Sequence, residues 1–217
     1  MTPYRAQDTG PILLYLNDPV IYKWLRTPPV PYTREHAETW VDMCMEIFKT
    51  PLRDGEQWYQ NKTGWVAECP IKAIREVKRN ELGEIEEVMI GDIGISRHTF
   101  DEILDEGERI ETKKINDERK VGDEKIIWTI GDWLGPNYHG KGIMTACIKT
   151  LINWATINMN VHHIRVFVGV GNVGSRRVFE KNDFTYIETI KDAYELPEIK
   201  GGGSMSLEVL DWIRSKE

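Results

Sequence analysis

Apolar residues recur at the spacing of an α-helix in the first quarter of the chain and predict two helices, at residues 10–25 and 34–49. Thr33 is placed to cap the second helix, whose apolar stripe comprises Ala37, Trp40, Val41, Cys44, Ile47 and Phe48. The segment Thr27-Pro-Pro-Val-Pro-Tyr32 between them cannot be helical, because its prolines lack the N–H group that a helix interior requires. It is either a rigid connector or the rim of a substrate pocket.

The middle of the chain has two β-rich runs followed by a strongly charged stretch. Residues 65–75 and 85–96 are predicted to form antiparallel strands, joined by the polar turn at residues 78–83. Residues 97–124 are rich in Asp, Glu, Lys and Arg and have almost no aromatic residues. Such a composition favours a solvated insertion between strands, with a mobile flap as the alternative.

The second half has the pattern of a strand, a helix and a strand. An apolar strand at residues 126–134 precedes a helix at 142–157 and a second strand at 164–170. This order predicts a βαβ unit with parallel strands and a right-handed crossover. The helix should pack on the sheet through residues at helical spacing, namely Met144, Cys147, Ile148, Leu151, Ile152 and Ala155. The remaining predicted elements are a short helix at 173–181 and strands at 184–190 and 205–210.

Composition restricts the class of protein. The chain has 217 residues, of which 41% are hydrophobic, and a net charge of −7, which fits one globular domain. An acidic balance disfavours nucleic acid and anionic membranes as partners and mildly favours a cationic substrate. The widely spaced Cys44, Cys69 and Cys147 form no zinc-binding pattern, so we expect no metal and a reducing compartment. With no targeting signal and no apolar run of membrane length, we expect a cytoplasmic protein.

A loop with two glycines separates the strand at residues 126–134 from the helix that follows. Gly140 and Gly142 lie directly before the helix, where unpaired N–H groups and the helix dipole favour an anion such as a phosphate. Without a Cβ, these glycines let a pyrophosphate approach the backbone. No third glycine follows, as a dinucleotide fingerprint requires, and the spacing and Lys-Ser/Thr pair of a P-loop are missing. The alternative is a tight strand-to-helix turn without a ligand.

Several segments together resemble the GNAT acyltransferases, which are acyl-CoA-dependent enzymes that acetylate amines. The family's loop, Arg/Gln-x-x-Gly-x-Gly/Ala, is matched by Asn137-Tyr-His-Gly-Lys-Gly142, with Asn at the opening position. Asn172-x-x-Ser175, followed by Glu180-Lys181 and Phe184, is similar to the branch of ribosomal-protein N-terminal acetyltransferases (Rim type). The front end matches that branch at Asn17-Asp-Pro-Val, Leu25, Pro31-Tyr-Thr33 and Trp40. The resemblance covers nearly the whole chain and fails at residues 97–124.

The resemblance implies a mixed α/β fold in one domain, residues 1–217, with a charged insertion at about 97–124. Its central twisted mixed sheet would splay between two parallel strands that end near Leu134 and Val170, with helices on both faces. Acetyl-CoA would be the co-substrate, with its pantetheine arm in the splayed gap. The residues expected to bind it are Trp133, Leu134, Tyr138, His139, Gly140, Lys141, Gly142, Ile143, Met144, Asn172, Ser175 and Phe179.

These residues would bind the cofactor in different ways. Backbone N–H groups from Tyr138 to Met144 would hold the pyrophosphate. Lys141 either pairs with a phosphate or is solvated. Asn172 either binds the pantetheine amides or caps the helix that begins at Val173.

Acetyl transfer would need a base for the amine, donors for the thioester oxygen and an acid for the departing thiolate. Backbone N–H groups near residues 133–135 would be the donors. Many GNATs place a tyrosine acid where this chain has Phe179, so Ser175 is the predicted acid, unless it only hydrogen-bonds the cofactor. Asp132 is the predicted base, and the alternatives are a water chain, Asp92, Glu68, His98 or His139. His162 and His163 are expected to be structural or solvated.

The function that follows is N-acetyltransferase activity, in which an amine attacks acetyl-CoA directly in a ternary complex. The acceptor would be a protein N-terminus or a small cationic amine. Two other functions stay open: a catalytically silent acyl-CoA-binding module of the same fold, and an unrelated nucleotide-binding α/β protein. A homodimer is a further expectation, to which the strand at residues 205–210 could contribute.

Overall fold

The computed structural model describes residues 1–61, 63–79 and 82–215. The strands found there are β1 (Ala73–Arg79), β2 (Ile85–Arg97), β3 (Ile127–Leu134), β4 (His163–Gly169), β5 (Thr185–Glu195) and β6 (Ser204–Ile213). They form one sheet in the order β1-β2-β3-β4-β6-β5. Neighbouring strands are antiparallel except for β3 and β4, which are parallel as predicted.

β3 and β4 separate soon after they begin. Pairing between them is limited to Ile127 with His163 and Trp128 with Ile164, whereas β2 and β3 pair along their whole common length. The two strands therefore diverge toward their carboxyl ends and leave a gap, which we call the wedge. The predicted fold, a mixed α/β sheet splayed at two parallel strands, is confirmed.

Helices cover both faces of this sheet. They are α1 (Thr9–Leu16), α2 (Pro19–Tyr22), α3 (Arg34–Ile47), α4 (Lys49–Asn61), α5 (Glu106–Glu118), α6 (Ile143–Asn158) and α7 (Val173–Glu180). Residues of α1, α2 and α3 form a core cluster with Ala73 and Met89 on one face of the sheet. On the other face α6 packs through its predicted stripe, in which Cys147 is half-buried and the buried residues are Met144, Ile148, Leu151, Ile152 and Ala155.

The prediction of one helix at residues 10–25 is wrong, because the chain breaks between α1 and α2. Pro19 has no N–H group to continue α1, and the Asp18 carboxylate accepts the Val20 N–H at 2.8 Å to cap α2. The Asn17 side chain bonds to both the N–H and the C=O of Tyr32, at 2.9 and 2.8 Å, and its amide also donates to the Leu13 carbonyl of α1 at 2.8 Å. The end of α1 is thereby tied to the proline-rich segment.

The stripe predicted for the next helix is buried only in part. Thr33 caps α3 as predicted and accepts the His36 N–H at 3.2 Å. Within α3, however, Trp40 and Ile47 are exposed, so the buried face is narrower than the sequence pattern indicated.

The strand predicted at residues 65–75 is displaced. Residues 65–72 are irregular, and the Val66 N–H bonds to the Asn158 carbonyl at 2.8 Å instead of to a strand. The preceding helix α4 was not predicted, since Pro51 and Gly55 lower its helix propensity. Pro51 is tolerated because it lies in the first turn, where no helical N–H bond is lost. The turn predicted at residues 78–83 includes Asn80 and Glu81, which lie outside the described residues.

The charged stretch at residues 97–124 is not a solvated segment, as the sequence had suggested. It contains α5, which Asp105 caps, and buries His98 and Phe100. Asn116 is 3% exposed, and its side chain pairs with the N–H and the C=O of Ile127, each at 2.9 Å. Asn116 thus satisfies the start of β3 much as a neighbouring strand would.

β6 lies between β4 and β5 and is hydrogen-bonded on both sides. Its edges are therefore not available to pair with a strand of a second copy of the chain, and the homodimer stays a prediction. Along the described residues, no helix combines the length and apolar character needed to cross a bilayer.

Asn116→Ala should lower the free energy of unfolding by about 2 kcal/mol, because the Ile127 N–H loses its partner and the Ile127 C=O loses one of its two donors. Urea denaturation measures this change. Lys114→Ala, at an exposed position of the same helix, is the control and should change it by less than about 0.5 kcal/mol. Equal effects of the two substitutions would contradict this account of the insertion.

Candidate active site

A cavity of about 650 Å³ occupies the wedge. On one face of the sheet it is lined by α2 and the residues after it, and on the other by the N-terminal parts of α6 and α7. It therefore passes through the sheet between β3 and β4. The predicted site residues on its wall are Asp132, Trp133, Leu134, Tyr138, His139, Gly140, Gly142, Ile143, Met144, Asn172 and Ser175.

The backbone of β3 supplies polar groups to the wedge. At the two ends of the β2–β3 ladder, the Gly135 N–H donates to Ile90 at 2.8 Å and the Ile127 C=O accepts from His98 at 2.9 Å. Because peptide groups alternate in direction along a strand, the odd-numbered residues of β3 face β2 and the even-numbered ones face β4. The N–H groups of Asp132 and Leu134 consequently point into the wedge. The Gly135 N–H, one of the expected oxyanion donors, is already used.

The loop after β3 leaves the start of α6 open. Gly140 and Gly142 have φ of +73° and +76°, a left-handed backbone that favours glycine, and no protein atom lies within 4 Å of a Cβ built on either. α6 begins at Ile143 without a side-chain cap. Its first N–H groups and its positive dipole end therefore face open space, which suits an anion.

Two side chains hold this loop against the sheet. The His139 imidazole donates through Nε2 to the Leu134 carbonyl at 2.7 Å. The Tyr138 hydroxyl donates to the Glu76 carboxylate at 2.8 Å. His139 is thus occupied in fixing the loop, which argues against it as the base.

Lys141 and Phe179 are the two predicted cofactor residues that do not lie on the cavity wall. The Lys141 ammonium is 5.5 Å from the centroid of the Tyr138 ring. Phe179 is buried in the core, where its ring packs edge-on against Phe184 with centroids 5.0 Å apart. Phe179 is the buried residue of α7, so its side chain is not available to a ligand in the cavity.

Asn172 and Ser175 meet at the start of α7. The Asn172 side-chain oxygen accepts the Ser175 N–H at 3.3 Å, so Asn172 caps the helix. Its amide NH₂ group remains available to a ligand in the cavity. Within the described part of the chain, the Ser175 hydroxyl has no hydrogen-bond partner.

Asp132 is the one carboxylate on the cavity wall among the described residues. Burial raises the pKa of Asp132 to about 7, and the negative charge of Asp92 adds to the rise. A carboxylate with this pKa can take a proton near neutral pH. The geometry therefore suits Asp132 to act as a general base.

The other candidate bases lie elsewhere. Asp92 is buried and accepts a hydrogen bond from the Tyr4 hydroxyl, off the cavity wall. Glu68 is exposed. His98 is fully buried and its Nε2 lies 3.1 Å from the Glu102 carboxylate. His162 and His163 lie at the start of β4, away from the wedge.

The cavity wall also includes residues that sequence reasoning missed. Trp24 and Leu25 follow α2, Arg177 lies on α7, and Lys181 comes directly after that helix. Neither Arg177 nor Lys181 forms an ion pair with another described residue. The spacing of these two cations was visible in the sequence, but nothing there indicated that both line the cavity.

The fold matches solved acetyltransferases. RimL, a ribosomal L7/L12 α-N-protein acetyltransferase in complex with coenzyme A, superposes with a TM-score of 0.59 and 16% identity, covering 98% of this chain and 92% of that chain. The ribosomal-protein-S5-alanine acetyltransferase of Vibrio fischeri superposes with a TM-score of 0.55 and 16% identity, covering 96% and 89%. At such identities the likeness shows the fold alone.

Sequence comparison identifies the family. Probable N-acetyltransferase YjcK of Bacillus subtilis is 38% identical over 55 residues, a match that spans only 25% of this chain and 30% of YjcK. The model of the acetyltransferase (GNAT) domain matches residues 1–185, most of the chain. The chain therefore belongs to the GNAT acetyltransferase family.

Proposed function

We propose that this protein is an acetyl-CoA-dependent N-acetyltransferase that acetylates a primary amine in a ternary complex. The observation that carries the proposal is the cavity through the split sheet. It has an uncapped helix N-terminus at one end and Asp132, with a pKa near neutrality, on its wall. Two substrates could enter such a passage from opposite faces and meet between β3 and β4.

The residues present fit coenzyme A. The first N–H groups of α6 suit a pyrophosphate, and the cations Arg177 and Lys181 add positive charge to the cavity wall. The even-numbered peptide groups of β3 and the Asn172 amide can bond to the amides of the pantetheine arm. A volume of about 650 Å³ is ordinary for a site of this class.

Acetyl-CoA supplies an activated thioester, and the chain supplies the groups that move protons around it. Asp132 accepts a proton from the amine as the new C–N bond forms. The N–H groups of Asp132 and Leu134 are placed to donate to the carbonyl oxygen as it gains negative charge. As the C–S bond breaks, the Ser175 hydroxyl donates a proton to the sulfur and is reprotonated by solvent.

The proposed acceptor is the N-terminal amine of a protein, with a small cationic amine as the second candidate. RimL and the Vibrio fischeri protein are both described as acting on ribosomal proteins. An α-amino group has a pKa near 8, about two units below that of a lysine, so it loses its proton to a base such as Asp132 more readily. We also propose a cytoplasmic location, which suits a chain whose three cysteines are free thiols.

The first test measures coenzyme A binding by calorimetry and acceptor-dependent thiol release from acetyl-CoA on one sample. Amines and N-terminal peptides are supplied as acceptors. Gly142→Val should weaken coenzyme A binding by at least about 100-fold, because valine cannot adopt the left-handed backbone that shapes the loop. Gly10→Ala, at an open position in α1 that does not line the cavity, is the control and should bind normally.

Each result of this test has a distinct meaning. Thiol release that depends on an acceptor supports the enzyme and identifies its substrate class. Binding without release from any acceptor would favour the silent acyl-CoA-binding module. The absence of binding by the wild-type protein would overturn the proposal.

Asp132→Asn should lower kcat/KM by about 100-fold, because the amine loses its base. Since the pKa of Asp132 is raised to about 7, wild-type kcat/KM should rise as pH increases through that value and the carboxylate ionises. In the variant, kcat/KM should no longer rise around pH 7, and the remaining pH dependence should come from ionisation of the amine alone. A wild-type profile that shows no ionisation near pH 7, or one that Asp132→Asn leaves unaltered, would remove Asp132 from the mechanism.

Ser175→Ala should reduce turnover by about 100-fold while the Kd of coenzyme A changes by less than about threefold, because the hydroxyl acts on the departing thiolate. Steady-state kinetics and calorimetry on the same protein measure the two effects. Ser96→Ala, at an exposed position of β2, is the control. Equal turnover by the wild-type and Ser175→Ala proteins would show that Ser175 is not the acid.

A further inference from the structure

Lys200 is a buried cation whose hydrogen bonds join two distant parts of the chain. It lies in the turn between β5 and β6 and is 8% exposed. Its ammonium donates to three backbone carbonyls, those of Leu25 at 2.7 Å, Arg26 at 3.2 Å and Pro28 at 2.9 Å. All three N–H bonds of the ammonium can thus be satisfied by one segment, residues 24–28, which we call the strap.

Lys200 is unusual for a buried cation, because its hydrogen-bond partners are backbone carbonyls. Among the described residues no carboxylate lies within ion-pair distance of it, and burial lowers the pKa of the Lys200 ammonium. Charge-assisted bonds to carbonyls are strong, and they replace the water that the ammonium loses. An apolar side chain could fill the same space but could not hold three carbonyls in one orientation.

The strap forms part of the cavity wall. Trp24 and Leu25 line the cavity on the face of the sheet that carries α1, α2 and α3. The Trp24 indole covers the end of β4 so closely that a Cβ built on Gly169 would lie 3.1 Å from it. Trp24 therefore stands beside the place where β4 leaves the wedge.

A second contact fixes the strap from another direction. Arg26 forms an ion pair with Asp101 of the insertion at 3.2 Å, and its guanidinium lies 5.2 Å from the centroid of the Tyr194 ring. Both Arg26 and Asp101 are partly solvated, so their ion pair is weaker than the buried hydrogen bonds of Lys200. Lys200 is consequently the main fixed point of the strap.

We propose that Lys200 is a positioning residue for the amine acceptor: through the strap it holds Trp24 and Leu25 as the wall against which the acceptor binds. This inference rests on the proposed function, because it takes the glycine loop and α7 as the coenzyme A side of the cavity. The amine must then reach the wedge from the opposite face, where the strap lies. Lys200 itself does not touch either substrate.

The test compares the wild-type protein with Lys200→Met, which keeps the length of the side chain and removes the ammonium. Lys191→Met, an exposed lysine on β5, is the matched control. The acceptor is the amine that the wild type acetylates fastest among n-butylamine, spermidine and a tetrapeptide with a free N-terminal serine. The KM for this acceptor should rise roughly 10-fold or more, because a displaced wall misplaces the amine. The Kd of coenzyme A should stay within about twofold, since a clamp on the acceptor side does not touch that site.

Hydrogen exchange of the same proteins reports on the strap without any acceptor. Amides of residues 23–27 should exchange at least about tenfold faster in Lys200→Met, while those in the second half of α6 stay protected. Lys200→Arg, which keeps donors and charge, should bring both the acceptor KM and the exchange rate of the strap part of the way back to the wild-type values. If Lys200→Met does not fold, Trp24→Leu tests the wall directly and should show the same rise in KM at unchanged coenzyme A affinity.

The outcomes separate this inference from the function on which it rests. An acceptor KM within twofold of the wild type, or unchanged exchange of the strap, would overturn the role of Lys200 even if the protein is an active acetyltransferase. A fall in coenzyme A affinity equal to the rise in KM would also overturn it, by showing a general loss of structure. Failure of the wild type to bind coenzyme A would refute the proposed function, and hydrogen exchange would still decide whether Lys200 fixes the strap.

Discussion

The divergence of β3 from β4 is the constraint on which the site depends. Two parallel strands that share only two paired positions leave the peptide groups that face the gap, on both strands, without a sheet partner. Those groups are tolerable only where water or a ligand can bond to them. The cavity, its polar backbone wall and the approach from both faces all follow from this single interruption of the ladder. A sheet with full pairing here would have none of them.

The other end of the wedge is closed by polar contacts rather than by apolar packing alone. Asn116 completes the start of β3, and Arg165 of β4 bonds to Asp211 of β6 at 2.7 and 2.8 Å and to Glu102 of the insertion at 2.8 Å. These partners raise the pKa of Arg165 and lower that of Asp211, so both side chains stay ionised at any ordinary pH. The insertion thus has a structural role: it holds together the strand ends from which β3 and β4 diverge.

The sequence predicted best the parts whose signal is local. The strand, helix and strand from Ile127 to Gly169 are strongly apolar and periodic, and the two glycines mark the loop between them. The first half was harder, because Pro19 divides a continuous apolar pattern and α4 carries a proline and a glycine. The insertion was misjudged because Asn116 anchors it through polar bonds, which hydrophobic periodicity does not record.

In the site as well, local sequence signals did not predict where each side chain points. Gly140 and Gly142 line the cavity through their backbone, so their position in the loop was enough to bring them there. For Phe179, membership of the right helix was not enough, because the direction of its ring depends on the partner it finds in Phe184. Trp24 and Lys200 could not be assigned to the site at all. Lys200 reaches the strap only through contacts between residues about 175 positions apart, as between the Lys200 ammonium and the Leu25 carbonyl.

The wedge also connects binding to chemistry. The same opening that frees the peptide groups of β3 places Asp132 in a partly dry cavity, and burial is the main cause of its raised pKa. An acid on a solvated strand edge would stay ionised near neutral pH and be a weak base. A carboxylate on a fully paired strand, covered by α6, would be inaccessible to an amine. A split sheet lies between these extremes, because it removes most of the water around a carboxylate while leaving a path to it. The geometry that would bind the thioester is therefore also the geometry that prepares a base for its attack.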